Sequence, residues 1–224
     1  MPSIGFRIFP SPPRPAPDVV ESFRPIATSH LSDNMSRLYG AVGLRQYNRR
    51  GKLVGVAFTV KTMPGDNLMI HKGIDLASPG DVLVVDAGGD VTNAVIGELM
   101  GMHAHRRGIA GFVIDGAIRD STLYDDFPCY ARGHVHRGPH RDGPGEINVP
   151  VSIGGMVVMP GDIIVGDQDG VLAVRPADAA QLLDLARKKA KEEEQARAAI
   201  AAGTQDRSWI DRALTAKGVQ GAPK

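Results

Sequence analysis

The sequence predicts a single α/β domain carrying a proline-rich N-terminal arm and a long C-terminal helix. Three observations predict it. Residues 81–87, DVLVVDA, form a near-continuous apolar run, the pattern of a strand buried on both faces. A second such run, Phe112 to Asp115, follows after one helical stretch and a glycine, so the pair reads as a β-loop-α-β unit. The 224 residues include 27 Gly and 16 Pro with only 5% aromatics, which implies many tight turns between short elements and an aliphatic core.

The elements follow in order. Residues 1–17 carry Pro2, Pro10, Pro12, Pro13, Pro15 and Pro17. Proline fixes φ and removes a donor, so this is an extended arm, either disordered or laid on a neighbouring subunit. A helix is expected after Pro17, through Val19, Val20 and Phe23. A second short helix is expected over 29–38, capped by Ser or Asp. LVGVAFTVKTM (53–63) has the β-branched content of a strand, and NLMIHKGIDLA (67–77) reads as a helix ending before Ser78-Pro79-Gly80. After Gly88-Gly89 a helix is expected to reach about Arg107, where Gly108 closes it. FPCYARG (127–133) is strand-like. Residues 133–155 form a Gly/Pro/His-rich loop with a short strand near 147–153, and 156–174 hold two or three short strands as a meander. A long helix runs from about Ala177 to Ala202, with Gly203 as its stop. The expected organisation is therefore an arm (1–17), one α/β domain (18–203) and a tail with a short helix (204–224).

Composition excludes several classes. Lys+Arg 26 against Asp+Glu 25 leaves a formal charge of +1, which offers no electrostatic case for nucleic acid. The single Cys129 rules out an internal disulfide framework and a cysteine-based zinc site; its context reads as a half-buried small side chain. The N-terminus lacks the apolar stretch of a signal peptide, and no run approaches the ~18 apolar residues of a membrane span, so a cytoplasmic protein is expected. MPGDNL (63–68), SPGDVLVV (78–85) and MPGDIIVG (159–166) share a Pro-Gly-Asp turn without amounting to a duplicated domain. Neither G-x-G-x-x-G nor G-x-x-x-x-G-K-[ST] occurs, which removes the simplest dinucleotide, mononucleotide and methyltransferase readings.

Chemistry concentrates around Arg119-Asp120 and Glu98. Arginine presents a planar fork that clamps carboxylates, and aspartate is a hard oxygen ligand suited to Mg²⁺ or Mn²⁺. Glu98 has two readings. If a helix is already running, Glu98 shares a mostly apolar face with Val91, Ala94, Val95, Met102 and His105. If the helix begins near Gly97, the amides of Leu99 and Met100 are free donors at a positive helix end. Either way the β-loop-α-β topology brings the 97–100 turn and the 115–120 turn to one region. His103 and His105 point to different sides of a helix and cannot chelate together. His134, His136 and His140 share their loop with Arg132, Arg137 and Arg141, a basic segment more apt to attract di- or tricarboxylates than to hold a metal.

Glu98 and Arg119 are separated by the 20 residues 99–118, so GELMGMHAHRRGIAGFVIDGAIRD resembles the G-[DE]-x20-R-D signature of the RraA-like family. That family includes the regulator of ribonuclease activity A and the class II pyruvate aldolases acting on 4-hydroxy-4-methyl-2-oxoglutarate and 4-carboxy-4-hydroxy-2-oxoadipate. The resemblance extends from about Ser29 to the final helix.

It implies a swivelling β/β/α domain assembled as trimers or hexamers, with a site at a subunit boundary. By resemblance, Arg119 holds the substrate C1 carboxylate and steadies the enolate, Asp120 anchors Mg²⁺ or Mn²⁺ mostly through waters, and Gly97 to Met100 offer amides to the pyruvoyl carboxylate. Glu98 stands where the aldolases usually carry Asp to position a water; its extra methylene moves the carboxylate by more than about 1 Å. Glu192, Glu193 and Glu194 are candidates to complete a neighbouring subunit's site, against a solvated helix face with i,i+4 pairs. Asp33, Asn67 and Asp86 are pocket candidates by the same analogy.

The implied activity is a retro-aldol cleavage releasing pyruvate from a small 2-oxo acid, with oxaloacetate decarboxylation in the same site. A Schiff-base route would need a desolvated lysine, and Lys52, Lys61 and Lys72 all lie outside the signature. The alternative is a non-catalytic regulatory protein that binds an RNA-degrading enzyme; such a protein has no need of the trio Glu98, Arg119 and Asp120.

Overall fold

The computed structural model describes residues 3–219, which divide between Ala186 and Arg187 into two compact units. In the first, helices α1 (Pro17–Glu21) and α2 (Thr28–Asn34) precede the edge strand β1 (Arg45–Gln46) and the long strand β2 (Leu53–Thr62). Helix α3 (Leu68–Leu76), β3 (Asp81–Asp86), β4 (Ala94–Ile96), α4 (Glu98–Arg106) and β5 (Gly111–Ile118) follow. After a 3₁₀ turn at Ser121–Leu123 come β6 (Cys129–His134), β7 (Gly145–Ile147), β8 (Val151–Ile153), β9 (Met156–Val158), β10 (Ile163–Asp167) and β11 (Gly170–Val174). Helix α5 (Ala179–Ala201) runs on from there into the second unit.

One mixed sheet has the order β1-β6-β5-β3-β2-β10-β11, with β4 added to β5 and β7 added to β2; β8 and β9 form a separate hairpin. Its centre, β2, β3, β5 and β6, is parallel. The apolar runs read from the sequence are this centre, and they are apolar throughout because both faces are covered. Along β3, Val82 and Val84 enter one core cluster while Leu83 and Val85 enter the other. Val113 and its neighbours Phe112 and Ile114 alternate in the same way on β5.

Three local expectations are corrected by tertiary contacts. The helix expected from residue 90 is a turn, then β4, then α4 starting at Glu98. Ala94, Val95 and Ile96 are fully buried beside Ala117 and Ile118 of β5, and that pairing outcompetes a longer helix. Helix α2 takes no cap from its own Ser or Asp: Asp167 accepts from the Thr28 amide at 2.9 Å and from its hydroxyl at 2.6 Å. The arm is ordered along its own chain. The Gly145 and Phe9 amides donate to Gly5 and Ile147 carbonyls at 2.7 and 3.1 Å, while Arg7 pairs with Glu146 and Arg14 with Asp81.

The three Pro-Gly-Asp turns share one backbone hydrogen bond, from the amides of Asp66, Asp81 and Asp162 to the carbonyls of Met63, Ser78 and Met159. Gly65, Gly80 and Gly161 all sit at positive φ (74°, 80° and 87°), as the third residue of such a turn demands. The carboxylates diverge. Asp81 and Asp162 accept from the amide that opens their own turn. Asp66, 2% exposed, instead accepts from Leu68 at 2.9 Å and from Asp142 and Gly143 across the chain at 2.6 and 3.0 Å. It thereby ties the 137–143 loop to the start of α3.

In the second unit, Lys188–Glu192 and Arg197–Glu193 are i,i+4 pairs on α5. Gly203 closes that helix at φ 67°, and α6 (Ser208–Ala216) follows. No helix among the described residues is long and apolar enough to cross a membrane.

Replacing Asp66 by Ala removes one acceptor from three amides; denaturant unfolding should show a loss of about 3 kcal/mol. A loss below about 0.5 kcal/mol, the scale of an ordinary surface change, would mean that the loop is held by its backbone bonds alone.

Candidate active site

The parallel crossovers bring two chain ends together at one edge of the sheet. β4 stops at Ile96, and α4 begins two residues later. β5 stops at Ile118, and the Arg119 amide donates to the Ile96 carbonyl at 2.9 Å, holding the two ends side by side. The next residue, Asp120, adopts the left-handed conformation (φ 56°, ψ 39°), which turns its carboxylate back toward α4. Asp120 Oδ2 accepts the Glu98 amide at 3.1 Å and lies 3.7 Å from Arg119 Nε. A Cβ on Gly97 would stand 2.9 Å from both Arg119 Nε and Asp120 Oδ2, so this close approach requires glycine.

The first intrahelical bond of α4 is Gly101 N to Gly97 O, at 3.1 Å. The Leu99 and Met100 amides therefore have no acceptor within the helix, and Gly97 has no side chain to cap them. This is the second of the two readings open for Glu98. Leu99 sends its side chain to solvent (78% exposed) and Met100 sends its own into the core (8%), so both can serve the site only through backbone.

These residues line one cleft of about 360 Å³, together with Asn67, His71, Pro139 and Arg141. Arg119 and Asp120 are both partly open to it, with side chains 43% and 42% exposed. The Glu98 carboxylate makes no hydrogen bond or ion pair within the described residues. Asn67 is buried; its Nδ2 donates to Val95 O at 3.1 Å and contacts Met100 Sδ at 3.3 Å, while its Oδ1 has no partner. Beneath α4, Tyr124 packs where a Gly101 Cβ would come within 3.2 Å, and burial raises its phenol far above the ordinary range, so it stays protonated.

Other candidates lie elsewhere. Asp33 pairs with Arg37 at 2.8 Å, and Asp86 pairs with Lys61 at 2.7 Å and accepts from Gly88 and Ser152 amides. His103 lies 3.4 Å from Asp75, and His134 lies 3.4 Å from Tyr47 Oη. Cys129 is fully buried and its thiol is pushed up by burial, which makes it inert. Among the described residues no group of three His, Cys, Asp or Glu side chains could hold a metal. Asp120 alone offers a carboxylate beside Arg119, with Oδ1 unengaged. One carboxylate with room for water matches the way Mg²⁺ is bound, since that ion keeps several waters and takes substrate oxygens.

The family model described as Aldolase/RraA, RraA-like, matches residues 28–173. The chain belongs to the RraA-like family. A protein of Halalkalibacterium halodurans, provisionally named a 4-hydroxy-4-methyl-2-oxoglutarate aldolase, is 41% identical over 186 residues, covering 82% of this chain and 89% of that protein. Among solved structures, an uncharacterised protein from Pseudomonas syringae superposes with a TM-score of 0.78 at 28% identity, over 87% of this chain and 97% of that one. Streptomyces coelicolor RraAS2, described as an unusual member of the RNase ES inhibitor RraA protein family, superposes with a TM-score of 0.75 at 28% identity, over 83% and 98%. The RraA-like fold predicted from the signature is therefore the fold observed.

Sequence reasoning did not single out His71 as a cleft residue and saw Arg141 only within a basic loop. The spacing Asn67–His71 was the available signal, since residues four apart share a helix face. Burial and the Arg141 guanidinium hold the His71 imidazole below its ordinary pKa, with Asp75 acting in the opposite sense. Arg141→Ala should therefore raise the His71 midpoint in an NMR titration. An unmoved midpoint would place that guanidinium away from the ring.

Proposed function

We propose that this RraA-like chain is a divalent-metal-dependent pyruvate aldolase. On this reading it cleaves 4-hydroxy-4-methyl-2-oxoglutarate or a related 4-hydroxy-2-oxo acid, and decarboxylates oxaloacetate. The observation that carries the reading is the meeting of three groups in one cleft: the Arg119 guanidinium, the half-open Asp120 carboxylate and the uncapped start of α4.

The residues divide the work as follows. The Leu99 and Met100 amides, at the positive end of α4, receive the C1 carboxylate. Arg119 lies against it and supplies fixed positive charge where the enolate develops. Asp120 would hold Mg²⁺ or Mn²⁺, largely through waters, and when bound the ion would supply Lewis-acid polarisation of the 2-oxo acid. Glu98, unpaired at the first turn of α4, is on this reading the residue that holds a water to take the substrate hydroxyl proton. As that proton leaves, the C3–C4 bond breaks, its electron pair enters the enolate, and protonation at C3 yields pyruvate. The buried Asn67 Oδ1 is an acceptor waiting for a hydroxyl or water. Oxaloacetate fits the same scheme, because loss of CO₂ from C4 leaves the same enolate. The relative's aldolase name supports the reading, and the shape of the site supports it independently. The working unit on this reading is a homotrimer or hexamer, to be read from the mass in solution.

The inhibitor name of the Streptomyces relative supports a second reading, a regulator that binds an RNA-degrading enzyme. A lactate-dehydrogenase-coupled assay separates the two. With Mg²⁺, oxaloacetate and 4-hydroxy-4-methyl-2-oxoglutarate should each yield pyruvate, and EDTA should abolish it. Folded protein that yields none from either would leave only the regulatory reading.

Arg119→Ala should lower kcat by about 10²–10³-fold with unchanged oligomeric mass. Glu98→Gln should lower it by about 10²-fold while sparing KM, the pattern expected when a proton relay is lost and binding is kept. Full activity in Arg119→Ala would mean that the chemistry lies elsewhere.

A further inference from the structure

We propose that Tyr124 is a positioning residue: its phenol, buried beneath α4, tethers the Glu98 carboxylate through a water in a second hollow that both residues line. This rests on the lyase reading and deepens it by naming what fixes the residue assigned to the proton.

The hollow follows from the sequence of α4. Glu98, Gly101, Met102 and His105 stand at i, i+3, i+4 and i+7, so they form one stripe along the helix. Gly101 leaves a gap in the middle of that stripe. Tyr124 and Phe127, from the segment after Asp120, underlie the gap, and the six residues line a space of about 150 Å³. The Tyr124 ring comes up against the helix there: a Cβ on Gly101 would lie 3.2 Å from Tyr124 Cε1 and 3.8 Å from its hydroxyl. Phe127 is set by an edge-on contact with Phe112, ring centroids 5.0 Å apart, and the His105 ring lies 5.7 Å from it. Glu98 is the residue that this hollow shares with the substrate cleft.

The Tyr124 side chain carries an unmet demand. It is 2% exposed, and its hydroxyl has no hydrogen-bond partner among the described residues. Leaving a buried hydroxyl unmatched is costly, so the group calls for an acceptor. Burial does most to raise its pKa far above the ordinary range; Cys129, Asp120 and Glu98 add to that, and Arg119 opposes it. The phenol therefore keeps its proton and stays a donor, whereas an ionised carboxylate only accepts. Asp120 acts on the phenol too, but it does not line the hollow, and its Oδ2 already takes the Glu98 amide.

Donor and acceptor thus line one hollow without touching, and a water completes the pair. A water needs about 10–15 Å³ of such space and two to four polar partners. The hollow has the room, and it offers the Tyr124 hydroxyl, the Glu98 carboxylate and the His105 ring. The tether answers the question raised by Glu98 standing where aspartate is usual. A longer side chain with no protein partner loses precision, because it samples more rotamers. Held by one oxygen on the hollow side, it presents the other to the substrate cleft in one place, as a proton relay requires.

Tyr124→Phe keeps the ring and removes only the hydroxyl. In the coupled pyruvate assay kcat should fall about 10-fold and KM should change by less than about 2-fold, because binding is left to Arg119 and α4. In a Glu98→Ala background the same substitution should cost less than about 2-fold. Thermal unfolding reads the contact without any turnover: Tyr124→Phe should lower Tm by about 2–4 °C, and that loss should vanish beside Glu98→Ala. A hydroxyl with no partner behaves in the opposite way, since its removal leaves Tm unchanged or higher. That result, an unchanged kcat in active protein, or equal losses in both backgrounds would overturn the tether. A Glu98-dependent loss of Tm in protein that releases no pyruvate from either substrate would keep the tether and sink the lyase reading.

Discussion

The parallel pairing of β3 with β5, buried on both faces, is the constraint from which the site follows. Parallel strands cannot be joined by a tight turn, so the chain must cross over between them and return on the far side of the sheet. The crossover after β3 contains β4 and α4. The chain that leaves β5 is Arg119-Asp120. Because β4 lies parallel to the end of β5, the start of α4 and the Arg119-Asp120 turn meet at the carboxyl edge of the sheet, where open α/β sheets bind ligands. A helix start with unmet amides, a guanidinium and a carboxylate thus converge without any local sequence motif having to join them.

The sheet edge supplies one wall of the cleft; polar ties supply the other. The 137–143 loop carries little regular structure and is fastened by hydrogen bonds to Gly65, Asp66, Asn67, Asn93 and Ala94. The tie through Asp66 is nearly buried, where losing an acceptor costs more than it would at the surface. One wall is thus regular secondary structure, and the other is a loop that a few carboxylate and backbone bonds hold in place.

Much of this was legible in the chain. DVLVVDA and FVID announced the central strands, and the spacing of Glu98 from Arg119-Asp120 picked out residues that the fold brings to one cleft. Those signals are local: burial on both faces writes itself as an unbroken apolar run, and a short turn writes itself as Pro-Gly-Asp. The errors came where local and distant preferences compete. Ala94-Val95-Ile96 is compatible with a helix and became a strand because the end of β5 was free to pair. The arm read as disordered or laid on a neighbouring subunit, since nothing within it reveals Glu146 or Asp81 as partners. Helix α2 takes its cap from Asp167, nearly the whole domain away in sequence.

The three Pro-Gly-Asp turns mark the boundary between the two kinds of information. The sequence by itself determined that each is a turn, because proline sets φ at one position and glycine permits the positive φ at the next. It also determined the chemical repertoire of the site, since Glu98, Arg119 and Asp120 carry their chemistry wherever they are placed. Only the tertiary structure decided that Asp66 clamps a loop while Asp81 and Asp162 close their own turns. Only it brought His71 of α3 and Arg141 of the 137–143 loop to one wall of the cleft. The reason is physical: backbone preference is a property of a few adjacent residues, whereas hydrogen-bond and charge partners are set by which distant segments the sheet brings within reach.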